Sequence, residues 1–288
     1  MRRSLLFIPG NNPAMLQNAD VFGADAVIFD LEDAVNVTEK DNARNLIHYY
    51  LESHDNLPME VVVRINGLDT TYYEADLDLI VSDHIDAIML PKAKVKELNE
   101  LDLLLTKLEK ERNLKKKIKV IPIIELAKSV LEVEGIVACP RVDGVLLGAE
   151  DLTSDMEVTR TKQGVEIEYA RARVAMACKA YQIDAIDTPF TDVNDNEGLK
   201  KDTLHACELG MNAKSAIHPN QLDVINTIFM PTKKLIDWAL RVRKATIDAS
   251  KKGLGVFSLD GKMVDKPVMQ RAEKILAKAR KFGAIEDE

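Results

Sequence analysis

Eight short apolar runs within residues 5–217 constrain this chain more than any other feature. They are Leu5–Ile8, Ala26–Phe29, Val61–Ile65, Ala87–Leu90, Val120–Ile124, Gly144–Leu147, Asp184–Ile186 and Ala213–Ile217. Most are uninterrupted rather than alternating, the pattern of strands buried on both faces, as parallel strands are. The stretches between them carry helical spacing. From Glu97 to Arg112, the residues Leu98, Leu101, Leu104, Leu105 and Leu108 form one stripe among Glu and Lys, and Glu166 to Tyr181 reads likewise. Strands alternating with helices imply right-handed βαβ units. Eight such units predict an α/β fold, a (β/α)8 barrel of the TIM type, rather than an open sheet.

Past residue 230 the rhythm changes. Pro231 to Ser250 reads as a helix with Leu235, Ile236, Trp238, Ala239 and Val242 on its apolar face. Asp260-Gly261 between two apolar triplets predicts a hairpin, and a last helix is expected from about Val268 to Phe282. The expected organisation is therefore a barrel over residues 1–230 and an extension over 231–288. A hairpin this small has no core of its own, so it is expected to pack on the barrel or on a neighbouring subunit.

Of the 288 residues, 46% are hydrophobic, enough to bury a core and to argue against disorder. The 39 Lys and Arg against 47 Asp and Glu give a net charge of −8, which argues against general binding to nucleic acid or an anionic membrane. It does not exclude an anionic substrate, since one Arg or a metal in a pocket overrides the average. The basic and apolar opening Met1 to Ile8 is broken by Pro9-Gly10, short of the about 7–15 apolar residues of a signal segment. With no long apolar span either, a cytoplasmic protein is expected. Cys139, Cys178 and Cys207 are isolated and lack zinc-site spacing, so they read as inert thiols.

The polar residues at the end of each run carry the chemistry. Pro9-Gly10 comes after the first and Asp30, Glu32 and Asp33 after the second; Arg64 lies in the third; Pro91-Lys92 comes after the fourth. Glu125 ends the fifth, Glu150 and Asp151 come after the sixth, Asp187 after the seventh and His218 after the eighth. In a barrel these ends converge on the face that holds the active site. Arg64 and Glu125 end otherwise apolar runs, so each needs a partner, a metal or a ligand.

Glu125 and Asp151, at adjacent strand ends, would repel each other unless a hard cation lay between them. Mg²⁺ typically takes one or two carboxylates and completes its shell with water and substrate oxygens, so it is the first choice and Mn²⁺ the second. The alternative is structural ion pairing with Lys92 or Arg64. Arg64 suits two-point binding of a substrate carboxylate, or else an internal salt bridge to Asp30 or Glu32. Asp30, Glu32 and Asp33 read as supporting groups that orient Arg64 or metal-bound water, or as solvated and helix-capping acids. Pro9, Gly10 and His218 are expected substrate contacts, His218 with a structural role as its alternative. Neither a dinucleotide fingerprint nor a phosphate loop is present. A Schiff base at Lys92 is the weakest of the readings.

Taken in order, Ser4 to Gly10, Phe29 to Ala34, Val63 to Gly67, Leu90-Pro-Lys92, Ile124-Glu125, Leu147 to Asp151, Asp187 and Ala216 to Pro219 resemble the citrate lyase beta subunits. These belong to the Mg²⁺-dependent lyase and aldolase superfamily that acts on citryl, malyl and citramalyl thioesters. The resemblance covers essentially the whole chain, and the segment Gly255 to Pro267 looks like the tail of the full-length citrate lyase form. It implies a (β/α)8 barrel, Mg²⁺ on Glu125 and Asp151, and a substrate carboxylate or carbonyl on Arg64. It also implies that Asp265 reaches a neighbouring protomer's site as a lid residue with a part in acid–base catalysis, beside Arg64, Glu125 and Asp151 as catalytic groups. The implied reaction cleaves a citryl thioester, carried on CoA or on an acyl carrier arm, into oxaloacetate and an acetyl thioester. The implied partners are an alpha subunit, a gamma acyl carrier subunit and further copies of the chain, as a trimer or hexamer. A stand-alone malyl-CoA or citramalyl-CoA lyase and a non-catalytic scaffold subunit are the alternatives.

Overall fold

In a computed structural model that describes residues 1–54, 56–251 and 253–286, every one of the eight apolar runs contributes to a strand. These are β1 (Ser4–Pro9), β2 (Ala26–Asp30), β3 (Glu60–Arg64), β4 (Ala87–Leu90), β5 (Lys119–Ile124), β6 (Gly144–Leu147), β7 (Asp184–Asp187) and β8 (Ala213–Ala216). Each pairs in parallel with the next, and β8 closes onto β1 through Leu5 beside Ser215. The result is a closed eight-stranded barrel with helices between the strands.

Alternation along the strands splits their residues into two buried sets. Leu5, Ala26, Ile28, Val62, Ala87, Met89, Ile121, Ile123, Leu146, Ile186 and Ala213 pack into one cluster, with Phe7 against it, and fill the barrel. The intervening residues, such as Leu6, Val27, Val63, Ile88 and Val145, are equally buried and face the helices. Both faces are covered, which is why the runs show no apolar-polar alternation in sequence.

At the amino ends of the strands the buried Arg2 side chain binds Glu60 at 2.5 and 2.6 Å, Asp143 at 2.7 Å and Asp184 at 2.9 Å. It thereby joins the starts of β1, β3, β6 and β7. Nothing in the spacing of the sequence marks Arg2 for this role.

The chain divides into two compact units, Arg2–Asn226 and a second made of Met1 with the chain from Thr227 onward. The second unit contains the helix Lys233–Lys251, the antiparallel pair β9 (Phe257–Leu259) and β10 (Lys262–Val264), and the helix Lys266–Lys281. The turn between β9 and β10 places Asp260 at φ 52° and Gly261 at φ 76°, the two left-handed positions that an Asp-Gly hairpin turn requires. The hairpin packs on the two helices: Val264 joins Ile236, Ala239, Val242, Ala272, Leu276 and Ala279 in a small core.

Candidate active site

Continuing the interior alternation past the strand ends brings polar residues into the barrel mouth. Ile28 leads to Asp30, Val62 to Arg64, Ile123 to Glu125, Leu146 to Gly148 and Ile186 to Thr188. All five of these end residues border one cavity of about 340 Å³, together with Phe7, Pro9, Asp33, Glu150 and Asp151. Of the residues expected from sequence, Pro9, Asp30, Asp33, Arg64, Glu125 and Asp151 therefore share one space. Glu32 joins them through Arg64.

Arg64 is held from below by Asp30, with Nε donating to Oδ1 at 2.7 Å and Nη2 to Oδ2 at 2.6 Å. Its Nη1 lies 2.8 Å from Glu32 Oε2, and its guanidinium stacks over Phe7 at 5.1 Å. The internal salt bridge and the position in the cavity wall are thus both present. A guanidinium has five N–H groups, so donors remain for a ligand carboxylate. Burial opposes the Arg64 charge, but Asp30 and Glu32 outweigh it and hold the group firmly protonated.

The acidic turn after β2 is fastened from several sides. Asp30 accepts the N–H groups of Glu32 at 2.8 Å and Ala34 at 3.1 Å. The buried Lys40 ammonium donates to the carbonyls of Leu31 and Glu32, both at 2.7 Å. Gly10 lies beneath this turn, its N–H 2.9 Å from the Asp30 carbonyl. A Cβ there would stand 2.7 Å from that carbonyl oxygen. Gly10 is a packing residue and does not border the cavity, contrary to the expected substrate contact.

Glu125 follows the last residue of β5 and is 4% exposed. Its Oε1 accepts the Lys92 N–H at 2.5 Å. Lys92 adopts φ 49°, a left-handed backbone that a side chain disfavours, and this turn is what aims its N–H at the carboxylate. Burial pushes the Glu125 carboxyl up to about 8; the Lys92 N–H opposes this, while the charges of Glu32 and Asp151 add to it. Glu32 is pushed up to about 7, again by burial first, with Arg64 opposing.

Gly148 makes room for this carboxylate. A Cβ there would lie 2.8 Å from both Cβ and Oε2 of Glu125. The helix Ala149–Asp155 starts at the next residue and carries Glu150 and Asp151 to the cavity.

Two further expectations part from the structure. His218 is exposed, and its Nδ1 accepts the Asn220 N–H at 3.2 Å, so it caps the short turn Pro219–Gln221 and does not border the cavity. Asp187 ends β7 out of phase with the interior residues and turns to the helices, where it binds Arg171 at 2.8 and 3.0 Å and Lys214 at 2.6 Å. Asp265 lies in the second unit, where it caps the helix Lys266–Lys281 by accepting the Val268 N–H at 3.3 Å.

The donor set suits a hard cation. Glu125 and Asp151 offer oxygen ligands, and their mutual repulsion contributes to the raised Glu125 value. Among the described residues no group of three or more His, Cys, Asp or Glu is arranged to hold a metal ion. Two protein carboxylates with the other positions open to water and substrate oxygens is the arrangement that Mg²⁺ tolerates and zinc rarely uses.

The sequence pattern of the HpcH/HpaI aldolase/citrate lyase family matches residues 3–219, the barrel and its mouth. The chain belongs to this family. The citrate lyase subunit beta of Leuconostoc mesenteroides subsp. cremoris is 41% identical, over 100% of this chain and 96% of its own length. A (3S)-malyl-CoA thioesterase of Cereibacter sphaeroides is 32% identical, over 98% and 96%. Among solved structures, the CitE protein of Mycobacterium tuberculosis in complex with magnesium, acetoacetate and coenzyme A has a TM-score of 0.75 at 29% identity, covering 96% of this chain and 97% of that one. The citrate lyase beta subunit of M. tuberculosis with oxaloacetate and magnesium has a TM-score of 0.68 at 28% identity, covering 80% and 97%. Both of these solved neighbours were crystallised with magnesium, the hard cation that the carboxylate pair of this chain suits.

Proposed function

We propose that this chain is a Mg²⁺-dependent carbon–carbon lyase that cleaves a citryl thioester to oxaloacetate and an acetyl thioester, as the beta subunit of a citrate lyase. The observation that carries the reading is the meeting of Glu125, Asp151 and Arg64 on one cavity at the carboxyl ends of a barrel. The full-length likeness to a citrate lyase subunit beta supports the citryl substrate over a malyl one.

Glu125 and Asp151 would hold the cation. Bound there, Mg²⁺ supplies Lewis acidity that lowers the pKa of the tertiary hydroxyl of the substrate. The protein groups do the rest. Arg64, fixed by Asp30, holds a substrate carboxylate with its remaining N–H groups and opposes negative charge as the carbon–carbon bond breaks. The hydroxyl proton passes to a carboxylate of the acidic turn, directly or through a water; Glu32, pushed up to about 7, is the group there whose proton affinity suits a base near neutrality. The departing acetyl thioester carbon needs a proton in return. Asp265, brought from a neighbouring copy of the chain, is the proposed donor. Pro9 and Phe7 shape the cavity wall beside Arg64.

The thioester arm would be presented by an acyl carrier gamma subunit or by CoA, with an alpha subunit supplying the acyl exchange onto citrate and the beta chains assembled as a trimer or hexamer. The test compares rates on citryl-CoA, malyl-CoA and citramalyl-CoA with Mg²⁺ present. Oxaloacetate release outpacing glyoxylate and pyruvate release supports the proposal. Faster release of glyoxylate or pyruvate assigns the chain to the malyl or citramalyl lyases instead.

A further inference from the structure

The helix Ala149–Asp155 begins without a cap of its own. Its N-cap position is Gly148, which has no side chain to accept the first free N–H groups. Gly148 cannot be exchanged for Ser or Asp, because any Cβ there would press within 2.8 Å of Glu125. The missing acceptor comes from another strand. Thr188 Oγ1, fully buried, accepts the Ala149 N–H at 3.2 Å.

Thr188 is itself held rigidly. Its carbonyl accepts from the Lys214 ammonium at 2.7 Å. On either side, Ser215 Oγ donates to the Asp187 carbonyl at 3.0 Å, and Gln221 Nε2 donates to the Phe190 carbonyl at 2.7 Å. Lys214 also binds Asp187 at 2.6 Å and Asp202 at 2.7 Å, and Arg171 binds the same two carboxylates. All four charged side chains of this network are buried. Ion pairs so deeply placed add little net stability, but they fix one geometry.

We infer that Thr188 is a positioning residue for Asp151. It sets the start of the helix Ala149–Asp155, and through that helix the direction in which the Asp151 carboxylate enters the cavity. The inference rests on the reading of Asp151 as a metal ligand.

The test is a Mn²⁺ titration of the full-length chain, followed by the solution signal of free Mn²⁺ in electron paramagnetic resonance. It uses Thr188→Val, Thr188→Ser and Asp151→Asn beside the parent. Thr188→Val keeps the shape and removes the acceptor, and is expected to weaken Mn²⁺ binding about tenfold, the range found when a ligand loses its outer support. Thr188→Ser keeps the acceptor and should bind like the parent, a rescue that a purely structural role of the Thr188 methyl would not give. Parent-like binding by Thr188→Val, with binding lost in Asp151→Asn, overturns the positioning role alone. Parent-like binding by Asp151→Asn overturns the metal reading and the inference with it. If Thr188→Val does not fold, Thr188→Ala removes the same acceptor and is judged by the same outcomes.

Discussion

At the scale of single residues, Glu125 is a buried carboxyl that costs stability when it carries its charge. A buried carboxyl whose value is pushed up to about 8 binds a proton more tightly in the folded chain than in the unfolded one. Without metal, stability therefore falls as pH rises from the ordinary carboxylate value through about 8, because the folded state must either hold the proton or carry a buried charge. Glu125→Gln keeps the acceptor for the Lys92 N–H and removes the charge. It is expected to raise the stability of the metal-free protein at pH 8 by of order 2 kcal/mol, while abolishing lyase activity. Urea denaturation with EDTA at pH 6 and pH 8 checks this: the advantage of the variant should grow with pH, and an advantage that shrinks would refute it. Arg64 and Glu125 were legible in the sequence because an ionisable residue at the end of an apolar run needs a buried partner. Gly148 and Thr188 were not, since neither carries charge, and their roles lie in what they leave room for or accept from.

At the scale of elements, the phase of a strand decides which of two adjacent residues meets substrate. Asp187 looked like a member of the strand-end acids by position alone. The interior set on β7 is Ile186, so the next interior residue is Thr188, and Asp187 turns outward into the pairs with Arg171 and Lys214. Counting in twos from the barrel core would have found Thr188 and placed Asp187; reading the runs as unbroken apolar segments hid the count. For the same reason Arg171, in the first turn of the helix Glu168–Tyr181, is fully buried: it answers a carboxylate that the strand presents on its helix side. Burial raises the Asp202 carboxyl, but Lys214 and Arg171 outweigh that and hold it below its ordinary value. Such a group stabilises the fold above the ordinary carboxylate value, and its contribution is lost as pH falls through the depressed one. Lys214→Ala is expected to destabilise the barrel by about 3 kcal/mol at neutral pH, because it strands buried carboxylate charge. In denaturation at several pH values the deficit should narrow below about pH 4 as the Asp202 carboxyl takes up its proton. A deficit that stays constant with pH would show that lost packing, not charge, accounts for it.

For the whole molecule, the barrel was legible and its floor was not. Eight buried runs with helical spacers leave few alternatives to a closed parallel sheet. The Arg2 cluster that joins four strand starts depends on residues scattered from Arg2 to Asp184, and contact between them exists only after closure. The hairpin of the second unit was legible through Asp260-Gly261, whose two positive φ values few other pairs tolerate. The charge of −8 does not describe the barrel mouth, where Arg64 shares the cavity wall with Asp30, Asp33, Glu125 and Asp151. Among the described residues no helix is long and apolar enough to cross a membrane.

The central claim is that Glu125 and Asp151 hold a divalent cation required for carbon–carbon cleavage of a citryl thioester. The most direct measurement is oxaloacetate release from citryl-CoA by the parent, Glu125→Ala and Asp151→Ala proteins, with Mg²⁺ and after chelation. Release by the parent with Mg²⁺, its loss on chelation and its return on adding Mg²⁺, with both variants at least about a thousandfold slower, is the predicted result. Full activity after chelation, or in either variant, would contradict the account.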